Sequence, residues 1–206
     1  MVVGGIVRLR GPSRPPDKGG RVLALVRHGQ TDWNAAGRLQ GHTDVPLNSL
    51  GRQQAHDAGT SLSAGRWDVL VSSPLGRAVE TAQIIGNQLG LELEETVPEL
   101  LERNYRGIEG TVLRGMDRPR IDELMRQAEP EADVAVRGIA GLQALLRTYP
   151  EQNIIAVAHG TILRLTLNVL HGTPRDYILN GETVELDPDV VLGYRADPDQ
   201  LAAACP

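Results

Sequence analysis

The 206-residue chain has no phenylalanine, and aromatic residues make up only 3% of it, so its core must be built from Val, Leu, Ile and Ala. A single cysteine, Cys205, excludes an internal disulfide and leaves no cysteine cluster for zinc. The longest apolar runs are about five residues, against the ~20 of a membrane-spanning helix, so no span is expected. No block of like charge occurs, and the net charge of -5 removes the electrostatic footprint of a general nucleic-acid binder. Met1 to Ile6 is faintly apolar but holds two glycines, and the basic residues follow it. That order is the reverse of a secretory leader, and the expected location is the cytoplasm.

Neither a repeat nor an interdomain linker interrupts the pattern, and the length suits one domain, expected over 21–196. Residues 1–20, with the breaker-rich stretch Gly11 to Gly20, read as a flexible leader outside that domain. Residues 197–206 read as a mobile tail.

What the chain does have is a set of short, fully apolar strands that end in chemistry. Val22-Leu23-Ala24-Leu25-Val26 runs without a break into Arg27-His28-Gly29, the mark of a strand buried on both faces of a parallel sheet. Thr31 and Asp32 then offer caps for a short helix. Asn48 or Ser49 can cap a helix over Leu50 to Leu62. Trp67 to Val71 reads as a second buried strand. Ser72-Ser73-Pro74 then supplies a cap and a helix-starting proline for Leu75 to Leu89.

Leu91 to Val97 alternates as a strand should, and a short helix is placed over Ile121 to Ala128. Val136, Ile139, Leu142, Leu145, Leu146 and Tyr149 mark an amphipathic helix. Asn153 to Ala158 is a further buried strand ending at His159-Gly160, with Thr161 as cap of a helix reaching Leu170. Thr183 to Leu186 and Val190 to Tyr194 read as a closing pair of strands. Strands alternating with helices give an α/β fold, expected as three layers, α/β/α, around a mostly parallel central sheet.

In such sheets ligands bind beyond the carboxyl ends of the strands. Three strands there deliver Arg27 and His28, then Arg77 on the following helix, then His159 and Gly160. Alone, His28 reads as a capping or core histidine and Arg77 as an ordinary helix residue. Together, two guanidinium groups, two imidazoles and helix N-termini suit a dianionic, tetrahedral ligand. A histidine can also act as a covalent nucleophile.

These residues carry a resemblance. The stretches Leu25 to Asn34, Ser72 to Ala82, Leu101-Glu102-Arg103-Asn104-Tyr105 and Val157-Ala158-His159-Gly160 occur in order. The chain in this respect resembles the histidine phosphatase superfamily, which includes the cofactor-dependent phosphoglycerate mutases. The resemblance implies a phosphoglycerate mutase-like fold and a histidine acid-type phosphatase acting on a small phosphorylated substrate, with no cofactor and no metal. It implies that His28 becomes phosphohistidine, that Arg27, Arg77 and His159 hold the phosphoryl oxygens, and that Glu102 protonates the leaving oxygen and then activates water. Asn34 would bond the phosphate, while Gln40, Gly41, Gly160 and Tyr105 would contribute at the pocket. Many relatives form homodimers, but nothing in this chain's pattern marks an interface.

The chain also departs from the family. Arg106 stands where glycine usually follows the aromatic residue, Ile108 replaces an aromatic, and Glu129-Pro130-Glu131-Ala132-Asp133 replaces a Gly-Gly-Glu-Ser-like segment. Two other functions remain open. A mutase would need extra cations to keep a doubly phosphorylated intermediate, for which Arg114, Arg118 and Arg120 are candidates without a supporting motif. A non-catalytic phosphate-binding protein would keep the pocket without turnover.

Overall fold

The computed structural model describes residues 7–8, 20–196 and 201. Its sheet has six strands in the order β1-β6-β2-β5-β3-β4. These are β1 (Val7–Arg8), β2 (Leu23–Arg27), β3 (Val69–Ser72), β4 (Glu95–Thr96), β5 (Ile154–Ala158) and β6 (Thr183–Leu186). Strands β2, β5, β3 and β4 run parallel, and β6 is antiparallel to β2. The three central strands β2, β3 and β5 are buried along their whole length, as their unbroken apolar runs require.

The period-two alternation of each central strand feeds two separate cores. Leu23, Leu25, Val69, Val71, Ile154 and Ala156 face α5 (Glu131–Thr148) and α6 (Gly160–His171). Ala24, Val26, Leu70, Ile155 and Val157 face α2 (Ser49–Leu62) and α3 (Gly76–Leu89). The result is the expected three-layer α/β/α arrangement. No helix among the described residues is long and apolar enough to cross a membrane.

Several local expectations change. Val190 to Tyr194 is not a strand: α7 spans Pro188–Gly193, because Asp187 caps it through the Asp189 N–H and Pro188 sits in its first turn. Those start signals outweigh the β-propensity of Val190 and Val191. Of Leu91 to Val97 only Glu95–Thr96 pairs as a strand, since the Leu91 N–H is spent closing α3 on Gly86. The weakly patterned helix lies earlier than expected, as α4 (Arg118–Met125), capped by Asp117. Thr31 does cap α1 (Asp32–Ala35), in a capping box with Asn34. Val7–Arg8 lies within the expected leader yet pairs in parallel with β6, as an edge strand needs only free backbone groups. The rest of 1–19, and the expected tail 197–206 apart from Leu201, lie outside the described residues.

Candidate active site

β2 delivers Arg27 and His28 to the carboxyl edge of the sheet. His28 is 3% exposed, and its backbone is fixed on both sides. The His28 N–H donates to the Ala158 carbonyl at 2.9 Å, and the Asn180 side-chain amide donates to the His28 carbonyl at 3.0 Å. The ring Nδ1 lies 2.6 Å from the Gly29 carbonyl. A carbonyl can only accept, so Nδ1 carries the proton and Nε2 keeps the lone pair. Close packing explains Gly29: a Cβ there would lie 2.1 Å from the Gly51 carbonyl oxygen of α2.

Arg77 is completely buried. Its Nε–H donates to His28 Nε2 at 3.3 Å, and its two Nη groups donate to the carbonyls of Gly41 at 2.7 Å and Thr43 at 3.1 Å. The serine cap expected for α3 is absent, because Ser73 Oγ lies instead 2.7 Å from His159 Nε2. Asp44, from a distant loop, caps the helix: its carboxylate accepts the Gly76 N–H at 2.7 Å and the Arg77 N–H at 3.4 Å. It also stands 3.7 Å from the Arg77 guanidinium.

α6 shows the same substitution of a tertiary cap for a local one. Its N-cap is His159, not Thr161, and has no side-chain cap bond. The cap is Glu102. Its Oε2 accepts the Thr161 N–H at 3.0 Å, while Oε1 accepts the Ile162 N–H at 3.1 Å and the Arg103 N–H at 2.8 Å. The positive end of the α6 dipole therefore faces this carboxylate. The rings of His28 and His159 lie edge to face, 5.0 Å apart.

A cavity of about 300 Å³ opens on this cluster. Of the residues expected at the site, Arg27, His28, Asn34, Gln40, Glu102, Tyr105 and Gly160 line it. Arg77, His159 and Gly41 are not among its lining residues, although Arg77 and His159 both stand against the His28 ring. Gly41 therefore serves through its carbonyl, which holds Arg77, and not as the pocket-mouth contact expected of it. Gly160 leaves room for Arg27: a Cβ there would stand 3.0 Å from the guanidinium Nε. Asn34 and Gln40 bond to each other, and Tyr105 bonds Thr161 through its hydroxyl at 2.8 Å.

Among the described residues, Arg27 Nε, Gln40 Nε2 and His159 Nδ1 are buried without a hydrogen-bond partner. Unsatisfied buried donors are costly, and two of these belong to residues that line the cavity. An anion with several oxygens in the cavity would satisfy the donors of Arg27 and Gln40. No group of three His, Cys, Asp or Glu side chains among the described residues is placed to hold a metal ion.

Sequence reasoning missed Asp44, Asn180, Arg38, Arg164 and Tyr177. The last three line the cavity. None carries a local signal, since each reaches the site only through the tertiary fold. Arg118 and Arg120 instead pair with Asp122 and Glu123 on their own helix, and Arg114 does not line the cavity. Arg106, at the family's usual glycine, adopts a left-handed φ of 52°, which costs a non-glycine residue roughly 1–2 kcal/mol.

Burial first, then the fields of Arg77 and Arg27, hold the His28 imidazole well below its ordinary value. Burial, Arg77, His28 and Arg27 do the same at His159. Burial lowers Arg77 to about 10, which still leaves it cationic at neutral pH. The consequence for stability has a definite sign. Both folded rings stay neutral, whereas in the unfolded chain they take up protons below about pH 6.5. The unfolded state then binds more protons, so stability falls as pH drops through that value. Thermal melts should show a lower midpoint at about pH 5.5 than at about pH 7, with a shallower fall in His159→Gln.

Known proteins resemble the chain over most of its length. The sequence profile of the histidine phosphatase superfamily (branch 1) matches residues 23–187. A protein named uncharacterized phosphatase PhoE, from Bacillus subtilis, is 36% identical over 151 residues, covering 73% of this chain and 78% of the relative. The probable phosphoglycerate mutase GpmB of Yersinia enterocolitica is 33% identical over 165 residues, covering 73% and 74%. A solved mycobacterial glucosyl-3-phosphoglycerate phosphatase, complexed with VO3, superposes with a TM-score of 0.71 at 29% identity, covering 81% of this chain and 92% of that one. With residues 23–187 matched and its motifs gathered at one sheet edge, the chain belongs to the histidine phosphatase superfamily, whose relatives here are phosphatases and mutases.

Proposed function

We propose that the protein is a phosphoric monoester hydrolase of the cytoplasm, acting on a small phosphorylated metabolite through a phosphohistidine on His28 and without a metal. One observation carries the reading. His28, whose Nδ1 is committed to the Gly29 carbonyl, and Glu102, which has one lightly loaded oxygen, line the same cavity.

In the first step His28 Nε2 attacks phosphorus and the bond from phosphorus to the leaving oxygen breaks. Protonated Glu102 gives its proton to that oxygen, so the product leaves as a neutral alcohol. Oε2 is the donor, because Oε1 already accepts two backbone N–H bonds and Oε2 only one. As Nε2 bonds phosphorus, the Arg77 Nε–H loses its acceptor there and turns to a phosphoryl oxygen. Arg27 Nε, Gln40 Nε2 and His159 offer further donors to the same charge. In the second step water attacks phosphorus, the P–N bond breaks, Glu102 takes the water's proton, and inorganic phosphate departs.

A mutase remains the second reading, and Arg38 and Arg164 favour it: they bring to the cavity wall the additional cations that the sequence did not reveal. The test is trapping of protein-bound phosphate with an alkaline, denaturing quench and EDTA present, together with assays for phosphate release and for isomerisation of 3-phosphoglycerate. The expected result is an acid-labile, base-stable phosphoenzyme and EDTA-resistant phosphate release. Isomerisation without release would replace the hydrolase with the mutase. Phosphate binding with neither reaction would leave a binding protein.

A further inference from the structure

The loop that carries Glu102 has little regular structure of its own. It runs from a 3-10 turn at Pro98–Leu100 to another at Arg106–Ile108, and no sheet or helix ladder holds the residues between them. Arg137 on α5 does most of that instead, beside His42, whose Nε2 lies 3.0 Å from the Glu102 carbonyl. Arg137 Nη1 donates to the carbonyls of Glu99 at 2.9 Å and Leu101 at 2.6 Å, and its Nη2 to the carbonyl of Glu102 at 3.0 Å. Three carbonyls of one irregular loop thus converge on one side chain.

Glu129 fixes the guanidinium in turn. Arg137 Nε and Nη2 donate to its two carboxylate oxygens at 2.8 and 3.0 Å, a bidentate pair that sets the plane of the fork. The same carboxylate accepts the Asn104 N–H at 2.9 Å, so it grips the loop from the other side. Burial works to raise the Glu129 carboxyl, but the bonds from Arg137 and Asn104 outweigh it and leave it below its usual value. Arg103 closes the frame, donating to the Glu129 carbonyl and to Glu131. The Glu129-Pro130-Glu131 stretch, a departure from the family pattern, is thereby the part of the chain that holds this loop.

We infer that Arg137 is a positioning residue for the proton-donating carboxyl of Glu102, acting through the three loop carbonyls and locked by Glu129. The inference rests on the role proposed above for Glu102. The side chain of Glu102 is anchored on the α6 N-terminus and its backbone on Arg137. Loosening the second anchor lets the carboxyl drift from the leaving oxygen while the phosphate seat around His28 stays built.

A leaving-group comparison separates this from a general loss of structure. An alkyl phosphate such as glycerol 2-phosphate releases a poor leaving group and needs the proton, whereas p-nitrophenyl phosphate releases a stable phenolate and does not. Glu102→Gln, Arg137→Gln, Arg137→Lys and Glu129→Gln would be assayed on both esters. Arg137→Gln is expected to lower kcat/KM for the alkyl ester at least about tenfold more than for the aryl ester, the direction set by Glu102→Gln. Arg137→Lys, which keeps the charge without the planar fork, should fall between wild type and Arg137→Gln. Equal losses on the two esters, or no loss, would overturn the inference. Should Arg137→Gln fail to fold, the Lys and Glu129→Gln variants give the same ratio. If Glu102→Gln itself shows no leaving-group dependence, the proposed acid role falls and this inference with it.

Discussion

Replacing His28 with Asn is expected to lower kcat/KM for any phosphomonoester on the order of 10⁴-fold or more, the scale on which loss of a nucleophile is felt. The reason is local. Asn offers no nitrogen lone pair where Nε2 stands, so no covalent intermediate can form and only phosphate binding remains. The fold should survive, because the backbone bonds of residue 28 to Ala158 and Asn180 do not involve the ring. The variant should also lose less stability on acidification than the wild type, since one imidazole held well below its ordinary value is gone. Steady-state rates and thermal melts on the same preparation check both halves. Retained turnover in a folded variant would remove His28 from the mechanism.

Arg77→Ala is expected to damage activity and stability together. Activity should fall on the order of 10³-fold, the cost of deleting a preorganised donor to developing charge. Stability should fall by about 2 kcal/mol or more, because a fully buried side chain is removed and the buried Gly41 carbonyl loses its partner, an unsatisfied buried group costing about 1–3 kcal/mol, while the exposed Thr43 turns to water. Arg77→Lys tells the two losses apart. A lysine carries the charge but cannot bond His28, Gly41 and Thr43 at once, so it should recover stability better than activity. Chemical unfolding read beside kcat/KM provides the measurement. Full activity in Arg77→Lys would mean that the guanidinium fork is dispensable.

The layered fold was legible because three strands are apolar on both faces, a pattern that only a sheet covered on both sides explains. The strand ends were legible for the same reason, as Arg27, His28 and His159 directly follow those runs. Helix starts were less so. At α3 and α6 the local polar residues looked like caps, yet Asp44 and Glu102 took the positions from afar. A carboxyl group whose oxygens reach several N–H groups at once is the stronger partner for a helix N-terminus, and sequence spacing does not disclose it. Val190 to Tyr194 shows the opposite case, in which the local Asp187-Pro188 start was present in the sequence and outranked the apolar run.

By itself the sequence determined the three-layer plan and the delivery of Arg27, His28 and His159, with Arg77 on the following helix, to one sheet edge, because burial periodicity and strand length are local properties; Glu102 was marked only by the family resemblance. Only the tertiary structure decided which nitrogen of His28 keeps its lone pair, that Arg77 is held by the Gly41 carbonyl, that Arg38, Arg164 and Tyr177 line the cavity, and that Arg137 holds the Glu102 loop. Each of those depends on groups far apart in the chain meeting within hydrogen-bond distance, and a pattern of neighbouring residues carries no record of such meetings.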